Sequence, residues 1–187
     1  MRRLIFQMMV SVDGYFEGPN REIDWHNVDE EFNDLAISFL DTVDTLLFGR
    51  VTYELMASYW PSEHARTNDP IVAGKMNSLR KVVVSRTLKS VDWEKSTLLN
   101  GDIVEEVRKL KQQPGKDVAI FGSSELAVTL MQQRLVDEYR IMVNPVILGA
   151  GKSLFNGLNR RQNLKLLESK AFRSGNVLLC YRLEELK

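Results

Sequence analysis

The sequence predicts an α/β fold with a mostly parallel sheet and an antiparallel edge, and three observations carry that expectation. Through the middle of the chain, short apolar runs suited to buried strands alternate with segments of helical periodicity, the signature of strand–helix–strand units. Near the end the helical periodicity stops, and two apolar segments remain, joined by Ser174-Gly175-Asn176 as an antiparallel pair. Several apolar runs close on Gly, Arg, Ser or Thr, which puts N–H groups, hydroxyls and guanidinium groups at strand ends, where α/β folds collect anions.

Arg3 to Ser11 reads as a buried strand closed by the turn-forming Asp13-Gly14, and Tyr15 to Asp24, with Gly18-Pro19-Asn20, reads as a loop. Asp29 to Leu40 spaces Phe32, Leu35, Ala36, Phe39 and Leu40 as one helical face. Thr45 to Phe48 is a short strand, and Thr52 to Tyr59 a helix that packs through Leu55, Met56 and Tyr59. Pro61 to Pro70 is polar and expected to be irregular, and Lys81 to Ser85 is another strand. Asp102 with Glu105 forms a capping box opening a helix that Pro114-Gly115 ends. Val118 to Phe121 is a strand, Ser124 to Arg134 a helix and Tyr139 to Val146 a strand, followed by the pair Leu164 to Phe172 and Val177 to Leu183. No repeat, low-complexity tract or linker interrupts the chain, so residues 1–187 are expected to form one domain.

The chain has 187 residues, 44% hydrophobic and 27% charged, an ordinary globular composition long enough to bury a core without disulfides or metal. Twenty-five basic and twenty-five acidic residues cancel, which argues against a broad nucleic-acid or anionic-membrane surface. The apolar start is broken by Gln7 and Asp13, so neither a signal peptide nor a membrane span is expected. The one cysteine, Cys180, falls in an apolar strand as a buried thiol, which suits a reducing cytoplasm.

Three strand-to-helix corners stand out. In Gly49-Arg50-Val51-Thr52 the glycine permits close backbone approach, Thr52 can cap a helix or donate to a phosphate, and Arg50 supplies charge. Ser85-Arg86-Thr87 repeats the arrangement after Val82-Val83-Val84. Gly122-Ser123-Ser124-Glu125 puts two hydroxyls near a helix start, with Glu125 as a first-turn acid. Each alone also reads as an ordinary corner, turn or cap. Together they suit an extended, multiply phosphorylated ligand such as a dinucleotide.

Other patterns fail. Gly151-Lys152-Ser153 lacks the first glycine of a phosphate-binding P-loop, because Val146 stands there, and Leu148-Gly149-Ala150-Gly151 reads as a tight turn. His26 and His64 are far apart and there is no cysteine cluster, so no metal site is expected and both histidines read as solvated loop residues. A Gly-x-Ser-x-Gly elbow for a hydrolase is missing. Asp13, Asp24, Asp29 and Glu30 flank Trp25. A carboxyl group partly desolvated beside an aromatic ring can relay a proton at neutral pH. The other reading is that Asp29 caps the helix and Glu30 favours its N-terminus.

Taken in order, Ser11-Val12-Asp13-Gly14, Trp25, Leu47-Phe48-Gly49-Arg50-Val51-Thr52-Tyr53-Glu54, Val84-Ser85-Arg86 and Ile120-Phe121-Gly122-Ser123 resemble the dihydrofolate reductase superfamily. Leu135-Val136-Asp137-Glu138, then Asn144-Pro145-Val146-Ile147-Leu148-Gly149-Ala150-Gly151 and Leu154-Phe155, are similar to the reductase domain of bacterial riboflavin biosynthesis. The resemblance covers nearly the whole chain and implies a dihydrofolate reductase-like sheet of about eight strands flanked by helices, with the antiparallel hairpin last. It also implies NADPH. Gly49, Arg50 and Thr52 would then meet the pyrophosphate and nearby ribose phosphate, and Ser85 and Arg86 the adenosine 2′-phosphate. Gly122, Ser123, Ser124 and Glu125 would line the nicotinamide side of the pyrophosphate, with Met9 and Phe16 near the nicotinamide under a mobile first loop. Gly122-Ser123 stands where the family usually has paired glycines.

The implied activity is hydride transfer from NADPH to a C=N or C=O bond of a small heterocyclic substrate, with Asp29 or Glu30 beside Trp25 supplying the proton. The two named substrates are 5-amino-6-(5-phosphoribosylamino)uracil and dihydrofolate, beside other reducible molecules of that size. The alternative is a protein that binds NADPH without turnover. A homodimer is a further implication of the resemblance.

Overall fold

The central strands follow from continuous apolar runs that a sheet covered on both faces buries, and the helices from apolar residues recurring near every 3.6 residues. The computed structural model describes residues 1–184; the expected domain span of 1–187 runs three residues beyond them. Its elements are β1 (Leu4–Val10), β2 (Tyr15–Glu17), α1 (Glu30–Leu40), β3 (Val43–Gly49), α2 (Arg50–Tyr59), α3 (Glu63–Asn68), α4 (Pro70–Ser78), β4 (Arg80–Val84), β5 (Ser96–Leu99), α5 (Ile103–Gln112), β6 (Asp117–Phe121), α6 (Ser124–Gln132), β7 (Glu138–Val143), β8 (Lys152–Ser153), β9 (Leu164–Ala171) and β10 (Val177–Leu183).

Eight strands form one sheet in the order β5-β4-β3-β6-β1-β7-β10-β9. All pairs from β5 to β7 are parallel, β10 runs antiparallel to β7, and β9 closes the edge antiparallel to β10. This is the expected mostly parallel sheet with an antiparallel C-terminal hairpin. Along β1, Leu4, Phe6, Met8 and Val10 enter a core built with Val107 and Leu110 of α5 and Ala127, Leu130 and Met131 of α6. Ile5 faces the opposite way, into a core with Phe39 and Leu40 of α1, Tyr53 of α2 and Val72 and Met76 of α4. Helices therefore cover both faces, as a buried parallel sheet requires.

Four local expectations need correction. Pro61 to Pro70 is not irregular: Ser62 Oγ accepts the Ala65 N–H at 3.2 Å and starts α3, and Pro70 occupies the first turn of α4. A polar exposed helix this short leaves no apolar periodicity to read. The segment Tyr15 to Asp24 is not all loop, because Tyr15–Glu17 pairs with Lys152–Ser153 as a small second sheet. Ser96–Leu99 is an additional strand beside β4. The strand expected to reach Val146 stops at Val143: Asn144 makes the last ladder bond, its N–H to Val10 O (2.7 Å), and Pro145 has no N–H to donate.

The order of strands positions the site. From β1 the chain crosses to β3, whereas β6 returns between them and α6 then carries the chain over β1 to β7. Crossovers diverging on either side of one strand leave a crevice at the carboxyl edge of the sheet. The ends of β1, β3, β4 and β6 meet there, and the last three carry the polar corners read in the sequence.

Candidate functional site: the carboxyl edge of the sheet

Two of the corners are locked together. The Gly49 N–H donates to Ser123 Oγ at 2.8 Å, and the Ser123 N–H donates to Thr52 Oγ1 at 3.0 Å. Gly122 has φ +62°, and a Cβ there would sit 3.2 Å from Thr52 Cγ2. A side chain would thus be strained and crowded at once. Ser123 itself adopts the left-handed conformation, φ 55° and ψ 52°. The serine takes the backbone shape usual for glycine, and its hydroxyl fastens the second corner.

This arrangement uses the hydroxyls in a way the sequence does not show. Ser123 and Thr52 bond across the corners and cap neither helix: α6 starts at Ser123 and α2 at Gly49, and neither has a side-chain cap. By contrast α1, α3 and α5 are capped by Asp29, Ser62 and Asp102. Each uncapped start leaves first-turn N–H groups and the positive end of the helix dipole facing outward. Two such starts side by side form a cradle for a phosphate-bearing ligand.

The other expected cofactor residues fall around this cradle. Arg50 is exposed and pairs with Glu54 at 3.0 Å. Ser85 is buried, and its Oγ accepts the N–H groups of Thr87 (3.1 Å) and Leu88 (3.0 Å), so it shapes the turn that presents Arg86. Arg86 is exposed and makes no ion pair among the described residues. Ser124 is buried in the first turn of α6. Glu125 projects outward and takes Lys152 Nζ at 3.0 Å. Met9 is half-buried near the end of β1, and Phe16 lies on β2 with Lys152 Nζ 5.6 Å from its ring centre. Lys152, met in the sequence only within a failed P-loop pattern, therefore links the small β2–β8 sheet to the start of α6.

Asp13 anchors the start of the first loop. The Asp13 carboxylate accepts the N–H groups of Leu148 (3.2 Å) and Gly149 (2.8 Å), which tie it to the turn after β7. The neighbouring Ser11 hydroxyl, foremost, and these bonds hold its carboxyl below the usual range.

The expected acids divide by geometry. Asp29 Oδ1 accepts the Phe32 N–H at 2.7 Å as the cap of α1. That bond holds its carboxyl below the ordinary value, opposite to the upward shift a neutral-pH proton relay needs. Glu30 is exposed in the first turn of α1. Trp25 is half-buried, donates its indole N–H to Glu22 O at 3.1 Å and meets His26 edge-on at 4.5 Å. His26 is not the solvated residue expected: burial pushes its pKa down to about 4. His64, expected in a loop, lies in α3 and is exposed.

No helix among the described residues is long and apolar enough to cross a membrane. The chain is 38% identical to the uncharacterized protein YyaP of Bacillus subtilis (strain 168), over 96% of this chain and 94% of that protein. A solved structure assigned to riboflavin biosynthesis, from Shewanella sp. PV-4, superposes with a TM-score of 0.76 at 22% identity, covering 98% of this chain and 99% of that one. Dihydrofolate reductase from Enterococcus faecalis, complexed with NADP(H), superposes at 0.67 and 15% identity over 98% and 97%. A sequence profile of the RibD C-terminal domain matches residues 2–178, and the chain belongs to that family, on the dihydrofolate reductase-like fold.

Proposed function

We propose that the chain is an NADPH-dependent reductase acting on a small heterocyclic or carbonyl substrate at the carboxyl edge of its sheet. The observation that carries this reading is the locked pair of uncapped helix starts, Gly49–Thr52 and Gly122–Glu125, with Arg86, which has no ion-pair partner among the described residues, at the neighbouring strand end. The residues fit the cofactor: backbone N–H groups and Thr52 for the pyrophosphate, Arg86 for the 2′-phosphate, and Met9 and Phe16 for the nicotinamide end. NADPH supplies the hydride when bound. The protein's part is to orient both partners and to exclude water beneath the loop that Asp13 ties down. Family membership favours 5-amino-6-(5-phosphoribosylamino)uracil, with dihydrofolate as the other named substrate.

One observation favours a second reading. Asp29 caps α1 and its carboxyl is held below the ordinary value, which removes one of the two acids expected to supply the proton, as in a protein that binds NADPH without turnover. Oxidation of NADPH in the presence of the phosphoribosylaminouracil, dihydrofolate and simple quinones separates the two. Turnover with either heterocycle supports the reductase. Tight NADPH binding with no oxidation by any acceptor supports the second reading.

The same proposal includes a homodimer and a cytoplasmic setting. The edge strand β9 exposes Leu166 and Leu167, each at 49%, which suits burial against a second copy. The free, buried Cys180 suits a reducing compartment.

A further inference from the structure

Strand β4, which leads into Arg86, also carries a fully buried lysine. Lys81 has no exposed surface and lies on the sheet face of Val83, toward α2 and α4. Its Nζ donates to Asn77 O of α4 at 2.7 Å and to Glu94 O at 2.9 Å, and stands 4.3 Å from the centre of the Trp93 ring. Lysine is almost never fully buried, and here two carbonyl oxygens and an indole face take the place of water.

Trp93 and Glu94 belong to the connection from β4 to β5, the segment that begins with Ser85 and Arg86. Trp93 is fastened on several sides. Its backbone N–H donates to the Tyr53 hydroxyl at 3.0 Å, its indole N–H donates to Asn77 Oδ1 at 2.7 Å, and its ring stacks on Phe48 at 6.1 Å. Tyr53 follows Thr52 in α2, so one bond joins the helix of the Gly49–Thr52 corner to the connection that presents Arg86. Strands β3 and β4 end side by side, with Gly49 opposite Val84. Beyond that ladder the spacing is set by side chains. A cleft of about 530 Å³, lined in part by Tyr53, Asn77, Leu88 and Trp93, lies between α2 and the connection, which therefore has room to shift when a tie is lost.

NADPH carries its pyrophosphate and 2′-phosphate on one ribose, so two protein anchors serve both only at a matching separation. We infer that Lys81 is a positioning residue for cofactor choice: by holding Trp93 and Glu94 it fixes Arg86 relative to the corner of α2, and selectivity for the 2′-phosphate follows the charge of its ammonium group. The inference rests on the reductase reading for the cofactor's place, and it names what holds the two anchors in register.

Burial pushes the Lys81 pKa down to about 8. Above that pH the amine loses its attraction to the indole face and its charge-assisted bonds to the two carbonyls. The charged groups that bear on it are Glu94, which favours the ammonium, and Lys95, which opposes it. Leu46 and Ser96 are its neighbours in register on β3 and β5, α4 brings Asn77, and Glu54, Arg66 and Asp92 line the cleft outside. Arg86 keeps its charge throughout, and a phosphate monoester is already largely dianionic above about pH 7, so neither partner titrates in the same range.

The test is the ratio of NADPH to NADH affinity, measured by calorimetry from about pH 7 to about pH 9.5. The wild type is expected to lose roughly threefold or more of its preference, with a midpoint near pH 8. Lys81→Met keeps most of the stem without the charge, and is expected to show the lowered ratio at every pH. Tyr53→Phe keeps the ring and removes one hydroxyl; it is expected to lower the ratio already at neutral pH, with NADH affinity and the circular dichroism spectrum unchanged. A wild-type ratio that stays flat across the range, or a wild-type ratio in either folded variant, overturns the inference and leaves the reductase reading standing. Folded wild type that binds neither nucleotide removes both.

Discussion

Ser123 and Gly49, on different strand-to-helix corners, are joined by a 2.8 Å bond from the glycine N–H to the serine Oγ. The bond requires Ser123 to hold a left-handed backbone, a conformation costing a non-glycine residue roughly 1 kcal/mol. It recovers about as much through the hydrogen bond. Ser123→Gly is therefore expected to be close to neutral in stability, since it relieves the strain and loses the bond together. Ser123→Ala keeps the strain and loses the bond, and should cost about 1 kcal/mol. Urea denaturation of the two variants checks the ordering; a less stable Ser123→Gly would contradict it.

Arg2 ties the opposite edge of the sheet. Its guanidinium is buried, pairs with Asp44, and donates to Thr45 Oγ1 at 2.8 Å. Gly115 lies against the same group, at φ +142° with no room for a Cβ beside Asp44. Arg2→Ala leaves the Thr45 hydroxyl short of a partner and empties a packed site, at an expected cost of about 2–3 kcal/mol. Thermal melting measures it, with NADPH affinity expected to stay unchanged because the site lies at the other edge.

His26 gives stability a defined pH dependence. Burial pushes its folded pKa down to about 4, below the ordinary value near 6.5. The unfolded chain therefore binds the proton first, and stability falls as pH drops from about 6.5 toward 4, by up to about 3 kcal/mol, then levels for this group. His26→Gln should flatten the unfolding free energy over that window. An unchanged slope would assign the dependence to other groups.

Glu125 stands at the uncapped start of α6, neutralised by Lys152 at 3.0 Å. A carboxylate there opposes an incoming phosphate. Glu125→Gln is expected to tighten NADPH roughly two- to fivefold at low salt, with the gain shrinking as ionic strength rises. Because the pair is exposed, its effect on stability should stay within about 1 kcal/mol. Titrations at two salt concentrations check both the sign and the screening.

The strong apolar runs around Leu46, Val83 and Ile120 were legible because a buried parallel strand leaves a continuous hydrophobic signal. Helix α1 was legible through its spacing and the Asp29 cap. What stayed hidden depends on distant partners or lacks contrast. Tyr15–Glu17 becomes a strand only by meeting Lys152–Ser153, and α3 exposes nearly all its residues to water. At the site the residue types were readable but their bonding was not. Thr52 and Ser123 each read as a helix cap, and they bond to the opposite corner instead.

The most direct measurement is calorimetric affinity for NADPH and NADH, in the wild type and in Arg86→Ala. The account predicts NADPH bound about tenfold or more tighter than NADH, through a charge-assisted bond from the exposed Arg86 to the 2′-phosphate. The variant should lose that preference while NADH affinity holds. Folded protein that binds neither nucleotide, or a preference that survives in Arg86→Ala, would contradict it.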